Sequence, residues 1–242
     1  EWTLFTLFLS LDIVPDILLG CSTGEFAALT MSNAVDLFTA APLFYHLSTS
    51  MVKTLPLEQL INLRSLRVNA SIETIEELLR QYENKVYLSA NLSLGQILLT
   101  GDKESINSLV KSFESKNISV DFLPFAIPYH TPLVSGILSA EDPDIQALQI
   151  SNPLIESWSC SLAAPYPTKP EKIRKMTTDL FSKPILFRES INALYNSGVR
   201  TFVEVGPRGS LAPTITETLQ FNPHVSLAAN RSDISAITQM QI

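Results

Sequence analysis

Between residues 64 and 124 the hydrophobic period switches repeatedly between two and about 3.6 residues, and that alternation leaves few folds open. Leu66-Arg67-Val68 alternates as a half-buried strand does. Ser71 to Gln81 has helical spacing, with Ser71 in the capping position and Glu73, Glu76 and Glu77 bringing negative charge to the helix start. Lys85–Ala90 and Gln96–Thr100 read as strands. Lys103–Lys116 reads as a helix with Ile106, Leu109, Val110 and Phe113 on one face, and Ile118–Leu123 as a closing strand. The order is β-α-β-β-α-β, the ferredoxin-like pattern, and it predicts a small domain over residues 61–128 inserted into a larger one.

The flanking segments mix strand and helix signals. Residues 3–10 read as the end of a buried helix. Ile17-Leu18-Leu19-Gly20 is a short apolar run that a buried strand would show, and a helix start follows at Glu25. Pro170 precedes a helix over Glu171–Leu180. Phe187–Ser197 is a second helix closed by Gly198, and Thr201–Val205 an apolar strand. Residues 135–144, rich in glycine, serine, alanine, aspartate and proline, read as loop, and residues 150–168 are rich in proline and serine.

Charge narrows the partners. The formal net charge of −7 is concentrated before residue 150, while residues 151–242 are slightly basic. Without a basic cluster the chain is a poor nucleic-acid binder. No run of 18 apolar residues is present to span a membrane. Cys21 and Cys160 are far apart in sequence, which predicts neither a disulfide framework nor a metal site, and we expect a reducing, cytoplasmic compartment. The apolar start lacks the basic region of a signal peptide, and with no initiator Met the chain is expected to be a piece of a longer one.

Gly20-Cys21-Ser22-Thr23-Gly24 is a G-x-S-x-G sequence between an apolar strand and a helix. In a nucleophile elbow this turn holds the serine hydroxyl out over the sheet, the flanking glycines permit a tight approach, and the next N–H, here that of Thr23, faces a developing oxyanion. An ordinary glycine-bounded turn is the competing reading. A serine nucleophile needs a base. Of the three histidines, His46 falls in an expected helix and His224 near the C-terminus. His130 is the better candidate, held on a loop between Pro128 and Pro132, although a surface or satisfied core histidine is the alternative.

These residues carry a resemblance. Gly20 to Ala28 resembles the G-H-S-x-G-E-[YF]-A-A segment of malonyl-CoA:acyl-carrier-protein transacylases and polyketide synthase acyltransferase domains. Tyr129-His130-Thr131-Pro132-Leu133 is similar to their F-H-S-P-[LM], and Phe202 to Pro207 to their F-[VL]-E-[VIL]-G-P, in the family's order. Trp158 to Pro167 and the tail from Ala228 resemble the branch found in iterative fatty-acid- and glycolipid-type megasynthases. The resemblance implies an α/β-hydrolase-like large subdomain with a parallel sheet (residues 1–60 and 129–242) carrying the ferredoxin-like insertion. It implies that Ser22 takes an acyl group from acyl-CoA, with His130 as base, and passes it to the phosphopantetheine thiol of an acyl carrier protein. No bound cofactor or metal is implied. Acyl carrier protein and neighbouring ketosynthase domains are the implied partners. The family orients its histidine with a main-chain carbonyl, and Pro184-Ile185-Leu186-Phe187 resembles that segment, which assigns the carbonyl to Leu186.

Three departures bear on activity. Cys21 replaces the family's histidine; with Leu47 and Tyr129 it is expected to line the substrate pocket. Leu47 stands where malonyl-type members carry a carboxylate-clamping arginine, which favours an uncharged acyl group unless Arg64 or Arg67 reaches in. The family's opening G-Q-G strand, source of the second oxyanion donor, is absent. Arg208, and a basic stretch of Lys169, Lys172, Arg174 and Lys175, are candidate contacts to CoA or a carrier. A serine hydrolase or thioesterase, and an acyltransferase domain decayed into a scaffold, remain as alternatives.

Overall fold

The computed structural model describes residues 1–43, 45, 56–126, 128–136, 138–139, 141–231 and 233. Leu47 and His46 therefore lie outside the described residues.

The central segment folds as its periodicity demands. Strand β2 (Leu63–Val68), helix α4 (Ile72–Arg80), strands β3 (Val86–Ser93) and β4 (Gln96–Asp102), helix α5 (Lys103–Ser115) and strand β5 (Val120–Phe122) follow the short helix α3 (Leu57–Ile61). The sheet order β5-β2-β4-β3, antiparallel at every step, is the ferredoxin-like order. The helical stripes pack on one sheet face: Ile75, Ile106, Leu109 and Phe113 close over Leu66 and Leu99, each of these six buried. Burying one such side chain stabilises by about 1.5–3 kcal/mol, so this patterned face suffices to hold the layer together. Asp102 caps α5 by accepting the Ser105 N–H at 2.8 Å.

A second region is built from parallel pairs. Helix α1 (Trp2–Ser10) leads to β1 (Ile17–Gly20) and α2 (Gly24–Met31). Strand β6 (Glu156–Ser159) runs parallel to β1, pairing Ile17 with Glu156 and Gly20 with Ser159, and returns through β7 (Ala164–Pro165). Beyond α6 (Pro143–Ala147) and α7 (Pro170–Asp179), strand β8 (Ile185–Leu186) leads into α8 (Phe187–Asn196). Strands β9 (Thr201–Glu204) and β10 (Val225–Ala228) form a parallel pair around α9 (Leu211–Thr218).

One strand ties the two regions together. β8 adds to the small sheet as a fifth strand, parallel to β3, pairing Ala90 with Ile185 and Asn91 with Leu186. This places the chain just before β8 beside the loop that carries His130.

One expectation needs correction, and one segment gains structure that its composition did not announce. Residues 3–10 are helical but not buried: Phe5 alone is in the core, while Trp2 and Leu9 are exposed. The stretch 150–168 contains β6 and β7. β6 reads Glu-Ser-Trp-Ser, with no apolar run, and its pairing with β1 makes it a strand.

Candidate functional site

Strand β1 ends at Gly20 and helix α2 begins at Gly24, and the three residues between them must reverse the chain in almost no space. Ser22 accordingly sits in the left-handed region at φ +57°. A Cβ on Gly20 would lie 2.2 Å from the Gly24 carbonyl oxygen and 2.3 Å from Glu25 main-chain atoms. Only glycine permits that approach. Gly24 has open space around the equivalent position, so the second glycine of the motif is not sterically required. Gly20→Ala should therefore lower the unfolding free energy by about 1–3 kcal/mol or more, whereas Gly24→Ala should change it by less than about 1 kcal/mol; urea titration of the two variants checks this.

His130 comes to the elbow from the other side. Pro132 starts a one-turn 3-10 helix, Pro132–Val134, whose cap Thr131 accepts the Leu133 N–H and donates its hydroxyl to the Pro128 carbonyl. His130 lies before this turn at φ +62°, with its N–H donated to the Phe181 carbonyl and its ring tilted against the Phe181 ring at 5.9 Å. Its Nε2 is 2.7 Å from Ser22 Oγ, and its Nδ1 is 3.2 Å from the Lys183 carbonyl oxygen. A carbonyl only accepts, so Nδ1 carries the proton and Nε2 presents its lone pair to the serine. Burial holds the imidazole below its usual pKa, against main-chain bonds to Lys183 and Leu180 that act the other way.

The expected orienting residue is corrected here. The carbonyl facing Nδ1 belongs to Lys183; the Leu186 carbonyl instead accepts the Ser190 hydroxyl at 2.7 Å. Leu186 opens α8, so its carbonyl is used by that helix's first turn.

Thr23 follows the serine as the first, exposed residue before α2, and its N–H meets no acceptor among the described residues. Tyr129 packs on Phe181 at 5.6 Å and, with His130, lines a cavity of about 40 Å³ between the sheet and the His130 loop. Leu98, Leu123, Ala90 and Ile185 give it an apolar lining, and Ser65, Ser89 and Thr100, which also line it, bond to one another through their hydroxyls. Cys21 is half-buried in the core cluster beneath the elbow.

Several candidates are engaged elsewhere. Arg67 pairs with Asp121 across β2 and β5, and Arg64 donates to the Leu63 carbonyl, so neither is turned to Ser22. Arg174 donates to the Ile145 and Leu148 carbonyls behind α6. Lys169, Lys172 and Lys175 are exposed, and Arg208 stands exposed at φ +74° on the turn before α9. His224 bonds to the Asn222 carbonyl.

The sequence reading passed over Glu25. It is 1% exposed, yet it accepts the N–H groups of Cys160 and Ser161 on Oε1 and the Tyr166 hydroxyl on Oε2. Burial pushes its carboxyl up to about 7 against those bonds. It fastens the β6–β7 connection to the first turn of α2. A single charged residue at the head of the apolar Phe-Ala-Ala-Leu segment was the signal available in the sequence.

The sequence profile described as the acyl transferase domain matches residues 2–241. The chain is 24% identical over 247 residues to a PKS-NRPS hybrid synthetase of Aspergillus candidus, covering 99% of this chain and 10% of that protein. It is 26% identical over 202 residues to the malonyl CoA-acyl carrier protein transacylase of Bacillus subtilis, covering 81% of this chain and 62% of that one. Its fold superposes on an acyl carrier protein S-malonyltransferase from Vibrio cholerae with a TM-score of 0.85 at 18% identity, over 98% of this chain and 76% of the other. With a match that runs nearly from end to end, the chain belongs to the acyl transferase domain family.

Proposed function

We propose that this domain moves an uncharged short acyl group from acyl-CoA, through an ester on Ser22, to the phosphopantetheine thiol of an acyl carrier protein. The observation that carries this reading is the 2.7 Å contact of Ser22 Oγ with a neutral His130 whose other nitrogen is held by a carbonyl. Ser22 Oγ attacks the thioester carbonyl and its proton passes to His130 Nε2. The Thr23 N–H and the positive end of α2 face the oxyanion. His130 returns the proton to the departing CoA thiolate, and the carrier thiol then repeats the sequence in reverse.

The choice of an uncharged group rests on the cavity beside His130, whose wall among the described residues is almost wholly apolar and holds no lysine or arginine. A carboxylate buried there unpaired would cost several kcal/mol. The exposed Lys169, Lys172 and Lys175 and Arg208 would meet the acidic carrier or the phosphates of CoA. Neighbouring synthase domains, ketosynthase among them, would act in the same assembly. No helix among the described residues is long and apolar enough to cross a membrane, and the proposed setting is the cytoplasm.

The test is intact-mass spectrometry after incubation with acetyl-CoA or malonyl-CoA in separate tubes. An acetyl adduct on the wild type and none on Ser22→Ala is the expected result. A malonyl adduct in preference to acetyl would overturn the acyl-group assignment, and an adduct retained by Ser22→Ala would overturn the nucleophile.

A further inference from the structure

The two cysteines, remote in sequence, are neighbours in the fold. β1 and β6 run parallel, and their last pair is Gly20 with Ser159. One residue further along both chains stand Cys21 and Cys160. Adjacent strands are about 4.8 Å apart, inside the roughly 4.4–6.8 Å Cα separation that a disulfide spans. The two cysteines follow directly on these paired strand ends, one residue outside the strands on each chain segment. Cys160 belongs to a buried core cluster and Cys21 packs against that same cluster, where its thiol helps to raise the pKa of the Cys160 thiol. Cys160 is fully buried, whereas Cys21 is half-buried and immediately precedes Ser22.

We propose that Cys21 and Cys160 form a peroxide-responsive dithiol whose intramolecular disulfide displaces Ser22 from His130. A peroxide transfers one oxygen to Cys21 Sγ, giving a sulfenic acid and water (or an alcohol, from an organic peroxide). Cys160 Sγ then attacks that sulfur. The S–S bond forms as the S–O bond breaks, and the leaving hydroxide takes the Cys160 thiol proton to depart as a second water. Two thiols are oxidised and one peroxide is reduced. The neighbouring Cys21 thiol and burial both raise the Cys160 thiol pKa, and the Ser190 hydroxyl, 3.8 Å from its sulfur, opposes them. Cys160 is therefore a slow partner, and reaction begins at the more accessible Cys21.

The consequence for Ser22 follows from which cysteine can move. Bonded sulfurs stand about 2.05 Å apart, well inside the contact distance of two separate thiols. Cys160 is held by its N–H on Glu25 and by its carbonyl, which accepts the Leu186 N–H at 2.8 Å. The shift therefore falls on the elbow, where Gly20 already abuts the Gly24 carbonyl. A displacement near 1 Å at a reacting group costs on the order of 10²-fold in rate.

The effect on acyl transfer rests on the function proposed above; formation of the disulfide does not. The reduced protein is incubated with hydrogen peroxide, denatured without reductant, alkylated and weighed. Wild type is expected to lose both alkylation sites and two hydrogens, to yield a Cys21–Cys160 linked peptide, and to recover with dithiothreitol. Cys160→Ala, which keeps both main-chain bonds, is expected to stop at a Cys21 sulfenic acid that dimedone traps. Oxidised Cys21 beside a still-alkylatable Cys160 in wild type, or linkage only between two molecules, would overturn the pairing. Acyl loading that falls on the order of 10²-fold on oxidation and returns on reduction supports the switch. Unchanged loading by the disulfide form overturns it. If the reduced protein loads no donor, the function has failed while the mass readout still judges the pairing.

Discussion

His130→Asn is expected to slow acyl loading of Ser22 by about 10²–10⁴-fold while leaving the fold intact. Asparagine is the right replacement because His130 occupies φ +62°, where asparagine is among the residues that sit with least strain. Alanine there would mix backbone strain with loss of the base. The Nε2 lone pair at 2.7 Å from Ser22 Oγ is what disappears. In the wild type, burial lowers the pKa of His130 below 6.5. The base is therefore already deprotonated at neutral pH, and loading should rise with pH through an inflection below the ordinary histidine value. Stopped-time mass spectrometry across pH 4.5–8 measures both quantities. A His130→Asn rate within a few-fold of wild type, or an inflection well above the ordinary histidine range, would remove His130 from the role of base.

What the sequence disclosed about this site was local, and what it hid was not. Ser22 could be read because strand, glycine and helix start are consecutive. His130 could be read because Pro128 and Pro132 bracket it. The small sheet was legible from its alternating periods, down to the order of its elements. The carbonyl that orients His130 was not, since any residue carries one; its identity depends on where Asp179–Pro184 passes beneath the loop, and that is set by β8 joining β3. The meeting of Cys21 with Cys160 follows from the register of β1 on β6, and β6, with Trp158 its one apolar residue, carries no apolar run or alternation long enough to mark a strand. α9 and β10 escaped notice for a related reason: Pro213 lies inside the helix, and Val225–Ala228 is short. Glu204, which caps α9 by accepting the Leu211 and Ala212 N–H groups at 2.9 and 2.7 Å, likewise gains its meaning only in three dimensions.

Glu25→Ala is expected to be the most destabilising of the single substitutions considered, by about 3–5 kcal/mol, because it strands three donors at once. The Cys160 and Ser161 N–H groups and the Tyr166 hydroxyl would all face a dry space with no acceptor. Glu25→Gln separates hydrogen bonding from charge. Its amide oxygen still accepts both N–H groups, and the Tyr166 oxygen can accept from the amide nitrogen. The two variants should then differ in pH dependence as well as in size of effect. Burial raises the Glu25 carboxyl from 4.5 to about 7 in the fold, so the folded state holds a proton that the unfolded chain releases. Its contribution is therefore most favourable below about pH 4.5, falls as pH rises through about 7, and is flat above. The full change is about 3 kcal/mol, from about 1.4 kcal/mol for each pH unit of separation. Urea unfolding of wild type and Glu25→Gln at several pH values between 4.5 and 8.5 isolates this group, because every other carboxylate is common to both. The difference in stability should move in favour of the glutamine variant by up to about 3 kcal/mol as pH rises across that window. A difference that stays constant would mean that Glu25 is ionised throughout, its three hydrogen bonds outweighing burial, and that the elbow is braced by a buried charge instead of a shared proton.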